Sequence, residues 1–258
     1  MVAVRAGRHI RGMTTRQKIR RIAIVASFAL FPVTLYYFSP VLSLQAMTVG
    51  VVSGSLLVFA GLFAVSLFFG RLFCGWACPG AGLQELVALA RQKPVRRTRI
   101  GWIKWLVWVP WAAVLVFLAL RAGGVHAVDF TYQTTHGVSV TGLPGAMALA
   151  MVLVVFLVPA LAVGRRAACH TLCWMAPFMI LGRKLGNLLG WPSLRLSASG
   201  ERCRDCGSCR RACPMSIDVP ARVRAGEMEC ADCILCGSCV DGCARGVIRY
   251  RFGPAPRK

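Results

Sequence analysis

Four long apolar blocks run along the chain, at Ile22–Leu42, Met47–Phe69, Trp102–Leu120 and Leu143–Val163. A bilayer core of roughly 30 Å needs about 20 residues at helical rise, and each block meets that length. Lys104 is the one charge within them, close enough to a helix end to snorkel into the interface. From about residue 191 the chain turns polar and cysteine-dense. The pattern predicts a basic N-terminus (1–21), a membrane domain of four spans (22–190) and a separate tail (191–258). The expected fold class is an all-α four-helix transmembrane bundle carrying a small cysteine-rich domain. A hydrophobic content of 57% fits a membrane protein and excludes an ordinary soluble domain.

Charge orients the spans. The 31 basic residues against 9 acidic ones give a formal +22, and their placement matters more than their number. They precede the first block, join the second to the third (Arg71 to Arg99) and follow the fourth, while Arg121 alone falls in an opposite loop. By the positive-inside rule both termini and the central loop face the cytoplasm, as in a multi-pass inner-membrane protein. Topology accounts for the charge, so a nucleic-acid partner is excluded and membrane lipid is the expected neighbour. The first block runs to full length without a small-residue cleavage site and is expected to remain as a span. All 13 cysteines then lie on the reducing side, where metal or redox chemistry is the better reading than disulfides.

The tail repeats itself. "CRDCGSCRRAC" (Cys203–Cys213) and "CILCGSCVDGC" (Cys233–Cys243) share the spacing C-x2-C-G-S-C-x3-C. A [4Fe-4S] cube needs four thiolates, and in two-cluster ferredoxins the fourth cysteine of each run serves the other cluster. The assignment is therefore Cys203, Cys206, Cys209 and Cys243 for one cluster, and Cys233, Cys236, Cys239 and Cys213 for the other. Gly207 and Gly237 let the backbone pass close to the sulfurs. Pro214 follows the first run as the bacterial pattern expects, where Ala244 follows the second. Cys230 fits neither set and reads as a bystander. A zinc ribbon, the rival, seldom needs such a four-cysteine run in duplicate.

Two further pairs, "CGWACP" (Cys74–Pro79) and "CHTLCWMAP" (Cys169–Pro177), each follow an apolar block. With the four blocks and the double tail, these motifs resemble the NapH-type membrane ferredoxins, quinol dehydrogenase components associated with periplasmic nitrate reductase, and the membrane module of NosR. The resemblance implies electron transfer at a membrane, quinone as substrate and partner subunits of a respiratory or reductase complex. Two departures stand out: Trp174 follows the second pair, with proline delayed to Pro177, and these residues include no flavin-carrying domain.

Spacing of four residues puts both sulfurs of a pair on one helical face, and the topology brings both pairs to one membrane surface. Cys74, Cys78, Cys169 and Cys173 are thus the candidate membrane-surface redox or metal site. A third iron-sulfur or other metal centre, a reversible dithiol, and plain packing at helix ends are the readings open to them. Arg71 and Arg166 are expected to lower their pKa values. His170 is a ligand, a proton relay or an interfacial bystander. Glu85, near the start of a surface helix "AGLQELVALARQ", either favours that helix end or accepts protons. Trp102, Trp105, Trp108 and Trp111 read as belt and packing residues, the last two as the alternative lining of a quinone cleft. His126, Asp129 and His136 in the outer loop are candidate proton acceptors.

The leading function is exchange of electrons between the quinone pool and a redox partner, by a quinol dehydrogenase-like oxidoreductase component whose sequence shows no nucleotide-binding glycine motif and which so needs partner subunits. The alternative is a metal- or thiol-reducing maturation factor for a respiratory complex, working through the four membrane-surface cysteines.

Overall fold

The structure is a computed structural model that describes residues 13–90, 93–95 and 101–255. Most of the basic N-terminus (1–12), the end of the surface helix (Arg91 and Gln92) and part of the central loop (96–100) lie outside the described residues.

The membrane part begins with α1 (Thr15–Ala29), capped by Thr14, then α2 (Phe31–Thr34), a 3-10 turn (Leu35–Phe38) and α3 (Pro40–Met47). The strand β1 (Val51–Ser53) leads into α4 (Gly54–Phe69). Two further helices follow, α5 (Leu72–Trp76) and α6 (Pro79–Ala90), then α7 (Ile103–Arg121), β2 (Ala127–Asp129) and α8 (Leu143–Ala162). A short α9 (Ala167–Thr171) and α10 (Ala176–Leu188) connect to the tail, which contains β3 (Ser193–Ala198), α11 (Ser208–Ala212), α12 (Val219–Arg224), α13 (Ser238–Asp241) and β4 (Ile248–Gly253).

The four-span expectation is met in part. Among the described residues two helices, α7 and α8, are long and apolar enough to cross a membrane. The first block is broken: α1 and the Phe31–Phe38 segment meet at 58°. Pro32 and Pro40 lack the N–H that would continue the ladder. The carbonyls freed at the break are used by the outer loop, where Val140 N donates to Pro32 O at 3.0 Å and Ser139 N to Val33 O at 3.2 Å. Counting this bent pair as one span brings the total to three. The second block spends its start on β1, which pairs in parallel with β2, Val51 opposite Ala127. That leaves α4 with 16 residues, about 24 Å of helix and short of the bilayer core.

The backbone of α10 lies directly on α4. A Cβ at Gly182 would sit 2.0 Å from Ser66 Oγ and 2.5 Å from Phe63 O, and one at Gly186 would sit 2.8 Å from Leu67 O. This small-x3-small stripe is what permits the close approach. In the tail, β3 and β4 pair antiparallel from Ser193 opposite Gly253 to Ala198 opposite Ile248, tying both ends of the domain together.

Lys104 does not snorkel. Its Nζ donates to Asp232 Oδ1 at 2.8 Å, and both side chains are buried. Arg71 Nη1 reaches the same oxygen at 3.3 Å and also donates to Ala231 O at 3.2 Å. One tail carboxylate thus joins two membrane-domain cations, and the two parts share one core.

Candidate redox site

The two membrane cysteine pairs are built alike. After α4 the chain turns at Gly70, and α5 carries Cys74; after α8 it turns at Arg166, and α9 carries Cys169. Each short helix ends with two amides sharing one carbonyl: Ala77 and Cys78 donate to Phe73 O at 2.9 and 3.0 Å, and Leu172 and Cys173 both donate to Ala168 O at 3.0 Å. The same closure recurs 95 residues apart, placing the second cysteine just beyond the helix in both.

All four thiols are buried, at 4, 2, 5 and 3% exposure for Cys74, Cys78, Cys169 and Cys173. They face one another: a charge on Cys78 is opposed by Cys74, Cys173 and Cys169. Cys74 Sγ lies 3.9 Å from Met179 Sδ, and Gln84 Nε2 donates to Cys169 Sγ at 3.0 Å. Burial raises the pKa of Cys78 and of Cys169, and pushes Cys173 up to about 12. The expected lowering by arginine is therefore corrected for these three. Arg166 and Arg71 do pull Cys169 down, but loss of solvent outweighs them. Four soft sulfur donors in one buried core, with Arg71 Nη2 donating to Cys74 Sγ at 3.9 Å and, among the described residues, no three converged on a single ion, would suit a multi-iron thiolate centre, with ligand protons leaving on binding.

Two arginines clamp the α5 turn from the other side. Arg166 Nη1 donates to Cys74 O at 3.0 Å and Arg20 Nη1 to Gly75 O at 3.3 Å, while both reach Glu85 Oε1, at 2.7 and 3.0 Å. Burial alone would raise the Glu85 carboxyl, yet the two guanidinium charges hold it down at about 2. Glu85 is thus ionised at neutral pH and unsuited to accept protons. It sits mid-helix in α6 rather than in the first turn, so neither sequence reading of it holds. His170, which follows Cys169 in the second pair, is fully buried.

In the tail, Cys213, Cys233, Cys236 and Cys239 line one cavity with Met215, Ile217 and Ile234, and Cys230 also borders it. Charges on Cys236, Cys233 and Cys213 oppose one on Cys239. Cys209 instead feels Cys243 and Cys203. Cys206 is exposed and Cys203, Cys209 and Cys243 are half-buried. Gly207 and Gly237 hold φ of 68° and 75°, the left-handed turn that starts α11 and α13. Among the described residues no three His, Cys, Asp or Glu side chains converge as a single metal ion requires. Thiols spread around an apolar cavity instead fit a cube with one thiolate at each corner.

The deeper of these two groups rests on the membrane pair. A Cβ at Gly75 would lie 2.4 Å from Ile234 O, so glycine is needed for the backbones to meet. Trp76 Nε1 donates to Leu235 O at 3.2 Å and Gln17 Nε2 to Cys236 O at 2.9 Å. These contacts, with Gln84, Met179 and Asp232, escaped sequence reasoning. The lone charge in the third apolar block was the one signal pointing to Asp232.

Of the tryptophans, Trp102 is exposed as a belt residue would be. Trp108 and Trp111 close edge-on around Phe178, at 5.4 and 5.7 Å, and Trp111 Nε1 donates to Pro40 O at 2.9 Å. They are packing residues. In the outer loop, His126 Nε2 lies 2.7 Å from Ala122 O, and Asp129 Oδ1 accepts from Thr131 N at 2.9 Å. His136, also exposed, sits at a positive φ of 51°.

Residues 54–98 match a family described as a 4Fe-4S binding domain, a stretch that holds Cys74 and Cys78 and stops short of the tail. The chain is similar to YccM of Escherichia coli K12, a protein named for electron transport, with 26% identity over 74% of this chain and 54% of that protein. It is similar to protein RdxA of Cereibacter sphaeroides at 29% identity over 74% of this chain and 45% of that protein. It also matches the uncharacterized protein MJ0749 of Methanocaldococcus jannaschii, at 26% identity over 70% of this chain and 64% of the relative. The chain thus spans about half the length of the first two relatives. No solved structure matches it. Together these likenesses support an iron-sulfur electron-transport family, broader than the NapH-type group that the motifs resemble.

Proposed function

We propose that the protein exchanges electrons between the membrane quinone pool and a redox partner, as an inner-membrane subunit with both termini cytoplasmic. The observation that carries this reading is the backbone contact of Gly75 on Ile234, which seats the Cys74 helix against the Cys233–Cys236 run. Electron transfer needs short gaps, and this packing brings the two cysteine-bearing segments together backbone against backbone. Two [4Fe-4S] clusters would be held by Cys203, Cys206, Cys209 and Cys243, and by Cys233, Cys236, Cys239 and Cys213. A quinol yields two electrons and two protons, so two one-electron carriers match its stoichiometry. Cys213, Cys233, Cys236 and Cys239 form the inner site, next to the membrane thiols. The more exposed Cys203, Cys206, Cys209 and Cys243 form the port to the partner. The 4Fe-4S match over Cys74 and Cys78 supports a metal centre at the four membrane thiols.

The rival reading, a metal- or thiol-reducing maturation factor, needs thiols that a client can reach. None of the four is more than 5% exposed, which favours a relay.

Anaerobic purification with iron and sulfide counts, followed by electron paramagnetic resonance during quinol titration, tests the proposal. Two tail clusters give about eight iron and eight sulfide per chain, more if the membrane thiols hold a centre. Serine at Cys74, Cys78, Cys169 or Cys173 should block quinol-dependent reduction of the tail while dithionite still reduces it. If all four variants accept quinol electrons at the wild-type rate, the pairs are structural.

A further inference from the structure

We propose that the cavity between the broken first span and α8 is the quinone headgroup site; this rests on the function proposed above. The cavity, about 330 Å³, is lined by neither Trp108 nor Trp111 and falls within the roughly 300–1,000 Å³ of small-ligand pockets. Phe31, Phe38, Pro79, Gly80, Phe156 and Trp174 form its inner wall.

Three features select the occupant. Pro79 directly follows Cys78 and Trp174 directly follows Cys173, so a molecule held here touches the residues next to both thiol pairs. The aromatic wall is fixed in place: Trp174 Nε1 donates to Phe38 O at 2.8 Å, and its ring stands at 90° to Phe156 with centroids 5.7 Å apart. Gly80 is what admits Phe156, since a Cβ there would lie 2.7 Å from its ring. An aromatic wall of this kind suits a flat ring.

The remaining wall suits the rest of such a molecule. Met151, on the α8 side of the cavity, is 61% exposed toward the lipid-facing surface, giving an apolar tail an exit into the bilayer. Tyr36, Ser39, Gln45 and Gln133 add a few hydrogen-bonding groups to an otherwise apolar lining, enough to orient two ring oxygens. A flat ring with two oxygens, an apolar tail and a reason to sit beside redox thiols is a quinone.

The test uses the full chain in detergent, with decylubiquinone and a short-tailed menaquinone as probes. A photoreactive azido analogue of each should label α2, α3 or α8, and excess unlabelled quinone should compete. Ala148→Trp and, as a milder second variant, Val152→Phe fill the cavity from α8. Each should reduce labelling and raise the quinol concentration for half-maximal cluster reduction roughly tenfold, about 1.4 kcal/mol of lost binding. Dithionite reduction, unchanged, reports that the fold survives. Normal quinol oxidation by both variants, with the label mapping elsewhere, overturns this site and leaves the proposed function standing. Labelling that phospholipid competes and quinone does not makes the cavity an acyl-chain groove, and overturns it too. Labelling here without any electron transfer from quinol in the wild type supports the pocket and refutes the function.

Discussion

Asp232→Asn is the sharpest test of how the tail is held. The carboxylate accepts from Lys104 at 2.8 Å and from Arg71 at 3.3 Å, with all three side chains at 6% exposure or less. Asparagine keeps the shape and removes the charge, leaving two buried cations without their counterion. Breaking a buried ion pair by removing one partner costs about 3–5 kcal/mol. Arg71 cannot shed its proton, whereas Lys104 lies in the first turn of α7 and can swing toward the surface. That relief points to the lower end, about 3 kcal/mol, or roughly a hundredfold shift toward an undocked tail. Hydrogen exchange of the cluster-loaded protein in detergent reads this directly, through the amides of Leu72–Trp76 and of residues 231–236. They should exchange roughly a hundredfold faster. Adding Lys104→Met should recover part of the loss, because one cation fewer is stranded. Exchange within about threefold of wild type would refute the reasoning, since that is under 1 kcal/mol.

Gly75→Ala drives a methyl to within 2.4 Å of Ile234 O, so quinol-driven reduction of the tail should slow at least severalfold while dithionite reduction is unaffected; a wild-type rate would show that the contact is not on the route. Cys230→Ser should leave the spectra of both clusters intact, and loss of one whole cluster would mean that the ligand frame starts at Cys230. Glu85→Gln should cost about 3 kcal/mol, because Arg20 and Arg166 lose their shared carboxylate. The folded carboxyl is held at about 2 and the unfolded one titrates near about 4.3. The wild type's advantage over this variant should therefore be complete above about 4.3 and disappear as pH falls toward 2; an advantage flat through that range in thermal unfolding would contradict the clamp.

Legibility in the sequence followed the range of the forces involved. The third and fourth apolar blocks became α7 and α8 almost to the residue, because hydropathy and helical rise act locally. The first two blocks differ from the single straight helices that hydropathy suggests, because it averages over Pro32 and Pro40 and because Val51–Ser53 pairs with Ala127–Asp129. The cysteine pairs and the tail repeat were visible as short-range spacing. That they share one buried core came only with the fold. Lys104 looked like a snorkelling side chain because its partner lies 128 residues away. The raised thiol pKa values were likewise hidden, since neighbouring arginines can be read from sequence and depth of burial cannot. The cavity beside Trp174 draws its walls from five separate stretches of chain, so no local pattern announces it.

The pairing of β3 with β4 sets an order of manufacture. β4 is translated after the last cysteine, yet it is the strand that fastens the tail's end to its beginning at Ser193–Ala198. Until Ile248–Gly253 has left the ribosome the two ends of the tail stay unfastened, so a chain cut ahead of Ile248 should leave Ser193–Ala198 without its partner strand.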